Sequence, residues 1–160
     1  MSESKSYLEI IAEVEKEVQK ELPLYRSLGH FRQLQKLTLN LNNYCNYSRS
    51  AERYRKLEKK NPEKYQDNRQ KDEFCVLLSS TRLKFNLQAS DENVLQAYVF
   101  HLKSKLEEAL VEKDIKKRFR LFDYVCAGCI HCKVESEEIM SEINAIRDKA
   151  QNVISDIRTM

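Results

Sequence analysis

Glycine and proline are nearly absent from this sequence. Each occurs twice in 160 residues, where average usage is about 7% and 5%. A β-sheet protein of this length needs many tight turns, and those turns depend on glycine, proline and asparagine-glycine pairs. Their scarcity excludes a sheet-rich fold and favours long helices joined by short connections. We therefore predict an all-α chain, with a four- or five-helix bundle of mainly antiparallel helices forming one domain over residues 1–160.

Long apolar runs are also missing. The longest, Phe74 to Leu78, is far short of the roughly 20 residues that a membrane helix needs. The first residues lead into an acidic amphipathic segment without the apolar core of a secretion signal. Five cysteines, an odd number, then indicate reduced thiols. We expect an intracellular protein, cytoplasmic or nuclear, with no membrane span.

Catalytic motifs are lacking as well. None of the three histidines belongs to a Glu-x-x-His pair, which excludes a carboxylate-bridged di-metal bundle. No His-Glu-x-x-His zinc helix occurs, and two glycines cannot build a phosphate-binding loop. The sequence therefore predicts no enzymatic activity and no cofactor.

Helix boundaries are marked by capping residues. Ser6 and Glu9 form a capping-box pattern that begins the first helix, and we expect that helix to end before Pro23. Asn61 and Pro62 combine a favoured N-cap with a favoured first helical residue, so they separate the second helix from the third. A fourth helix is expected to open at Ser90-Asp91-Glu92, where the acids lie near the positive end of the helix dipole. Residues at helical spacing predicted to face inward include Phe31, Leu37, Leu41, Phe74, Leu78, Val94, Leu95, Tyr98, Leu102 and Leu106.

The C-terminal segment carries the most regular pattern. Apolar and small residues from Ile115 to Ile157 keep a heptad-type spacing, which predicts a coiled-coil-like last helix. The spacing falters at the cysteines in the manner of a stammer, and Gly128 is a point where the helix can break. In one interpretation residues 134–160 project as a docking ridge for a protein partner or a second copy. In the other, they fold back as the closing helix of their own bundle. The ridge residues are Ile139, Ile143, Ile146, Val153 and Ile157.

A cysteine cluster interrupts this pattern. Its candidate metal ligands are Cys126, Cys129, His131 and Cys132, because zinc prefers thiolate and imidazole. No second Cys-x2-Cys pair accompanies them, and all three cysteines fall on the apolar seam, where a free cysteine behaves as a small hydrophobe. Core packing is the preferred interpretation, and a small metal- or thiol-dependent protein is the third functional hypothesis.

Positive charge is concentrated in two segments, although the chain as a whole is nearly balanced at net +3. Residues 49–71 hold nine basic against four acidic side chains, and residues 113–120 hold five basic against one acidic. Tyrosines interleave with the first segment, and aromatic rings among cations can stack nucleic-acid bases. The alternative is a solvated helix face. The candidate contacts to nucleic acid or to an acidic surface are Arg49, Arg53, Arg55, Lys56, Lys59 and Lys60.

Long amphipathic helices without catalytic groups are suited to docking with other helices. The leading hypothesis is therefore a non-enzymatic helical adaptor or structural subunit of a protein assembly, whose partner is another protein or a second copy. A nucleic-acid-binding helical protein that uses segments 49–71 and 113–120 is the alternative.

Overall fold

The computed structural model describes residues 6–159, with side chains described to residue 157. It is 90% helical and has no strand within that range, so the all-α prediction is confirmed. Residues 6–159 form six helices, where four or five were expected. The helices are α1 (Tyr7–Ser27), α2 (His30–Lys60), α3 (Pro62–Ala89), α4 (Glu92–Val111), α5 (Ile115–Ile130) and α6 (Glu137–Thr159).

The predicted caps of α1 and α3 are present, and α4 starts where expected, with Asp91 as its cap. The side chains of Ser6, Asn61 and Asp91 each accept a hydrogen bond from the backbone N–H of the residue three positions later in the chain. Pro23, however, lies inside α1, so the predicted end of that helix is wrong. Proline removes one backbone hydrogen bond, but Pro23 is exposed, so water can solvate the freed carbonyl. The following turn is held by buried Tyr25, whose hydroxyl lies 2.6 Å from the Ser90 hydroxyl.

The long helices α2 and α3 form an antiparallel hairpin. Ion pairs join Arg55 to Glu73 and Glu58 to Arg69. A later residue of α2 therefore pairs with an earlier residue of α3, as in antiparallel helices. The main apolar core includes Cys45 and Leu83 but no residue between them. We call residues 46–78 the arm. Its contacts across the hairpin include a hydrogen bond from Ser50 to Asp72 and a ring contact between Tyr54 and Tyr65, and Ala51 is fully buried.

The core lies where the first half of α2 and the end of α3 pack against α4, α5 and α6. The predicted inward face of α4 is confirmed, because Val94, Leu95, Tyr98, Leu102 and Leu106 are all buried. Two aromatic predictions are wrong. Phe31 and Phe74 are 73% and 49% exposed instead of facing inward, since one lies at the start of α2 and the other on the arm, where the neighbouring helices do not cover them.

The C-terminal seam is divided between two helices. The break lies at residues 131–136 and not at Gly128, which is helical and buried. Helix α6 packs against α4 and α5, with Ile139, Ile143 and Ile146 in the chain's own core and Val153 and Ile157 partly buried against it. This is the arrangement of the closing-helix interpretation. A role of these five residues in partner binding stays a prediction, and it would require α6 to leave this position.

Candidate functional site

The cysteine cluster is placed at the end of α5 and in the turn that follows. Cys129 and Cys132 are buried, Cys126 is partly buried, and all five cysteines of the chain are free thiols. Burial raises the pKa of Cys129 to about 12 and that of Cys132 to about 11. A thiol must lose its proton to bind a metal or to attack an electrophile. The environment therefore favours packing over chemistry at these sulfur atoms.

His131 does not complete a metal site. Its Nδ1 lies 2.7 Å from the carbonyl oxygen of Ala127, and its ring meets the Tyr44 ring edge-on at 4.5 Å between centroids. Burial lowers the pKa of His131. Across residues 6–157, no group of three or more His, Cys, Asp or Glu side chains is arranged to hold a metal ion. The imidazole instead links the turn after α5 to α2.

The first basic segment lies on the arm, and its cations fall into two sets according to whether they form ion pairs. Arg55 and Arg69 bridge the hairpin through Glu58 and Glu73, so they hold the arm together. The second set contains the cations that no ion pair joins to a described carboxylate. It consists of Arg49, Arg53, Lys59, Lys60, Lys64 and Lys71. Lys56 is intermediate, with a 4.0 Å pair to Glu52.

The second basic segment lies at the start of α5, and two of its cations line a cleft together with a cation of the first basic segment. Lys117 and Arg120 line a cleft of about 520 Å³ together with Arg49 of α2 and Lys105 of α4. We call this the basic cleft. Arg118 is used differently, since its Nε donates to the carbonyl oxygen of Ala109 at 3.1 Å and thereby closes the α4–α5 turn.

A histidine–tyrosine pair forms part of the wall of the basic cleft. The His101 Nε2 lies 2.7 Å from the Tyr124 hydroxyl. Burial raises the pKa of Tyr124 and lowers the pKa of His101, so both side chains are uncharged near neutral pH. The pair offers a rigid, polar surface without a charged acid or base.

A second concave surface lies between α1 and the arm, and sequence reasoning missed it. We call it the arm groove. It has a volume of about 690 Å³, and its apolar part is formed by Tyr7, Ile10, Tyr44, Phe74 and Leu77. Arg55, Arg69 and Glu73 also line it. The placement of Phe74 on a helical stripe gives no sign of exposure, because which part of a stripe the neighbouring helices cover is a tertiary property.

No helix of the described chain is long and apolar enough to cross a membrane. Comparisons with protein-family models, with curated proteins and with solved structures find no match to this chain. Function is therefore inferred from the chain's own side chains.

Proposed function

We propose that this chain is a non-enzymatic helical adaptor or structural subunit of a protein assembly, and that it binds an amphipathic helix of a partner protein in the arm groove. The observation that carries the proposal is the aromatic lining of that groove. Tyr7 is 70% exposed and Phe74 is 49% exposed, and both border the same concavity. Aromatic side chains contribute a large share of binding energy at interfaces, and an apolar groove is a common receptor for a helix.

The dimensions of the arm groove suit a helix of about three turns. Along α2 the groove extends from Tyr44 to Arg55, a distance of about 16 Å at 1.5 Å per residue. A partner helix of that length presents apolar side chains at the first, fourth or fifth, and eighth positions. Arg55, Arg69 and Glu73 are already paired, so the polar face of the partner would remain in water.

The chemistry of the interior supports a non-enzymatic role. Burial raises the pKa of Cys45 to about 11 and that of Tyr25 to about 12. The hydroxyl of buried Tyr98 donates a hydrogen bond to the carbonyl oxygen of Gly128 at 2.8 Å, and burial raises its pKa well above the ordinary value. Catalytic groups usually titrate near the working pH, whereas these groups stay protonated and serve packing.

The arm groove needs no rearrangement to receive a partner, in contrast to the C-terminal isoleucines. Ile143 is fully buried and Ile146 is 4% exposed. Docking on them would require α6 to detach and would uncover the apolar core, which costs about 25 cal/mol per Å² of apolar surface. The proposal therefore places the primary contact at Phe74, Tyr7 and Ile10.

The test is a pair of matched phenylalanine substitutions in the tagged full chain. Phe74→Ala should abolish recovery of the partner, because truncating an aromatic anchor typically costs about 2 kcal/mol or more. Phe100→Ala is the control, since Phe100 is 72% exposed on α4, away from the groove. Recovery is quantified by mass spectrometry, and circular dichroism verifies that each variant is folded. Equal recovery with both variants would refute the groove as the docking site.

A second candidate function has its own observation. The unpaired cations of the arm, including Lys59, Lys60 and Lys64, lie at the hairpin end, and such a cluster attracts a polyanion such as nucleic acid. Reversal of Arg53, Lys56 and Lys60 to Glu should leave stability within about 1 kcal/mol, as is usual for surface changes. If nucleic acid is the partner, the triple variant should lose it, and wild-type binding should weaken steeply as salt rises.

A further inference from the structure

The basic cleft joins cations from three helices that are distant in sequence. Arg49 lies on α2, Lys105 on α4, and Lys117 and Arg120 on α5. The two α5 cations are three residues apart and therefore share one helix face. Like charges that face one another across a concave surface raise the local positive potential. An anion bound in the cleft would offset the repulsion between these cations.

The acids of the basic cleft do not neutralise this cluster fully. Glu108 is paired with Lys105 at 3.0 Å, and Glu112 accepts a hydrogen bond from the backbone N–H of Asp114 at 3.1 Å. No ion pair joins Lys117 or Arg120 to a carboxylate in the part of the chain that the structure describes. The Lys117 ammonium and the Arg120 guanidinium therefore keep their hydrogen-bond donors available to a ligand.

The remaining wall is suited to an uncharged body. Leu121 and the His101–Tyr124 pair line the cleft beside the cations. We propose that the basic cleft binds a small phosphate ester, with Arg49, Lys117 and Arg120 holding the phosphate and with Leu121 and Tyr124 contacting the organic group. A phosphate dianion matches several converging cations better than a monoanion does, and arginine binds it through two parallel hydrogen bonds. This site is separate from the arm groove, so it can fail or succeed independently of the proposed function.

Isothermal titration calorimetry of the full chain at low salt tests this proposal with phenyl phosphate and inorganic phosphate as probes. Phenyl phosphate should bind about tenfold more tightly than inorganic phosphate, since partial burial of the ring adds a hydrophobic contribution. Arg120→Gln and Lys117→Gln should each weaken phenyl phosphate by about tenfold, the usual cost of losing a charge-assisted hydrogen bond. Lys116→Gln is the matched control: it removes the same charge from the same helix but lies outside the cleft, and it should change the affinity less than about twofold.

Three results would overturn the proposal. The first is no heat of binding for phenyl phosphate. The second is equal weakening by Lys116→Gln and Arg120→Gln, which would indicate diffuse attraction to the whole helix. The third concerns a short single-stranded oligonucleotide: if it binds more tightly than phenyl phosphate, and if Lys59→Gln with Lys60→Gln weakens it while Arg120→Gln does not, anion binding belongs to the arm.

Discussion

Gly128 provides a sharp test of the core packing. It lies inside α5, where alanine would ordinarily be favoured over glycine by about 1 kcal/mol. A Cβ atom at this position would lie 2.7 Å from Cδ2 of Leu102 and 3.0 Å from the Tyr98 hydroxyl. Both neighbours are fully buried, so neither can turn aside into solvent. The glycine therefore permits a close approach of α5 to α4.

The substitution Gly128→Ala should destabilise the protein. Overpacking a core typically costs about 1–3 kcal/mol, and the gain in helix propensity offsets about 1 kcal/mol of it. Because a Cβ 2.7 Å from Leu102 forces a neighbour to move, the overpacking cost should lie in the upper part of that range, about 2–3 kcal/mol. The net loss is then about 1–2 kcal/mol, which lowers the melting temperature by roughly 2–8 °C for a chain of this size. Thermal and urea unfolding followed by circular dichroism measure it.

Two further variants establish the cause. Gly29→Ala is the control, since a Cβ there has no neighbour within 4 Å, and it should stay within about 0.5 kcal/mol because a weaker cap is offset by a less flexible unfolded chain. In a Leu102→Ala background, Gly128→Ala should cost clearly less than in the wild type, since the two Leu102 contacts are removed and only the 3.0 Å contact to the Tyr98 hydroxyl remains. A Gly128→Ala protein as stable as the wild type would refute the close-approach account.

Three other predictions follow from the same structure. Burial raises the pKa of Cys129 from 9.0 to about 12. The stability that the buried neutral thiol gives the folded protein is therefore complete below pH 9 and is lost as pH rises toward 12. Cys129→Ala should flatten that decline in urea unfolding at alkaline pH. Hydrogen bonds from the backbone and the nearby His30 hold the pKa of Asp91 below 3.8. The stability that its carboxylate gives the folded protein is therefore present above pH 4 and is lost in acid. Asp91→Ala should cost about 1 kcal/mol at neutral pH, whereas Asp91→Asn should keep the cap but lose the acid dependence. Arg69→Ala should lower stability by about 1 kcal/mol or less, because its ion pairs are partly exposed, and added salt should shrink the difference between variant and wild type.

The sequence was most informative where the controlling interaction is local. The predicted caps at Ser6 and Asn61 depend on residues three positions apart, and both are confirmed; the predicted start of the fourth helix at residues 90–92 is confirmed as well, with Asp91 as its cap. The helical class follows from the scarcity of two residue types. The exposure of Phe74 depends instead on how far α2 and α3 extend past their neighbours, and helical spacing does not contain that information. Pro23 was misjudged for a similar reason, since tertiary anchoring of Tyr25 overrides the local preference.

The candidate sites show the same division. The basic segments were visible as composition, yet composition could not separate Arg69, which bridges the hairpin, from Lys60, which lies at the hairpin end. Arg49 and Arg120 are 71 positions apart in sequence, and they line the same cleft because α5 packs against α2. Glycine disfavours helices, which makes Gly128 a possible break in the sequence pattern, whereas in the structure its missing side chain permits close helix packing.

The central claim is that a partner helix occupies the arm groove, and site-specific photo-crosslinking tests it most directly. A benzophenone amino acid replaces Phe74 in the full chain, expressed in cells of the native source, and the same replacement at Phe100 is the control. We predict a crosslinked adduct at position 74 whose mass corresponds to the chain plus one further polypeptide, with the crosslink mapping to an apolar face of a helix in that polypeptide. An adduct of equal yield at position 100, or no adduct at position 74, would contradict the account.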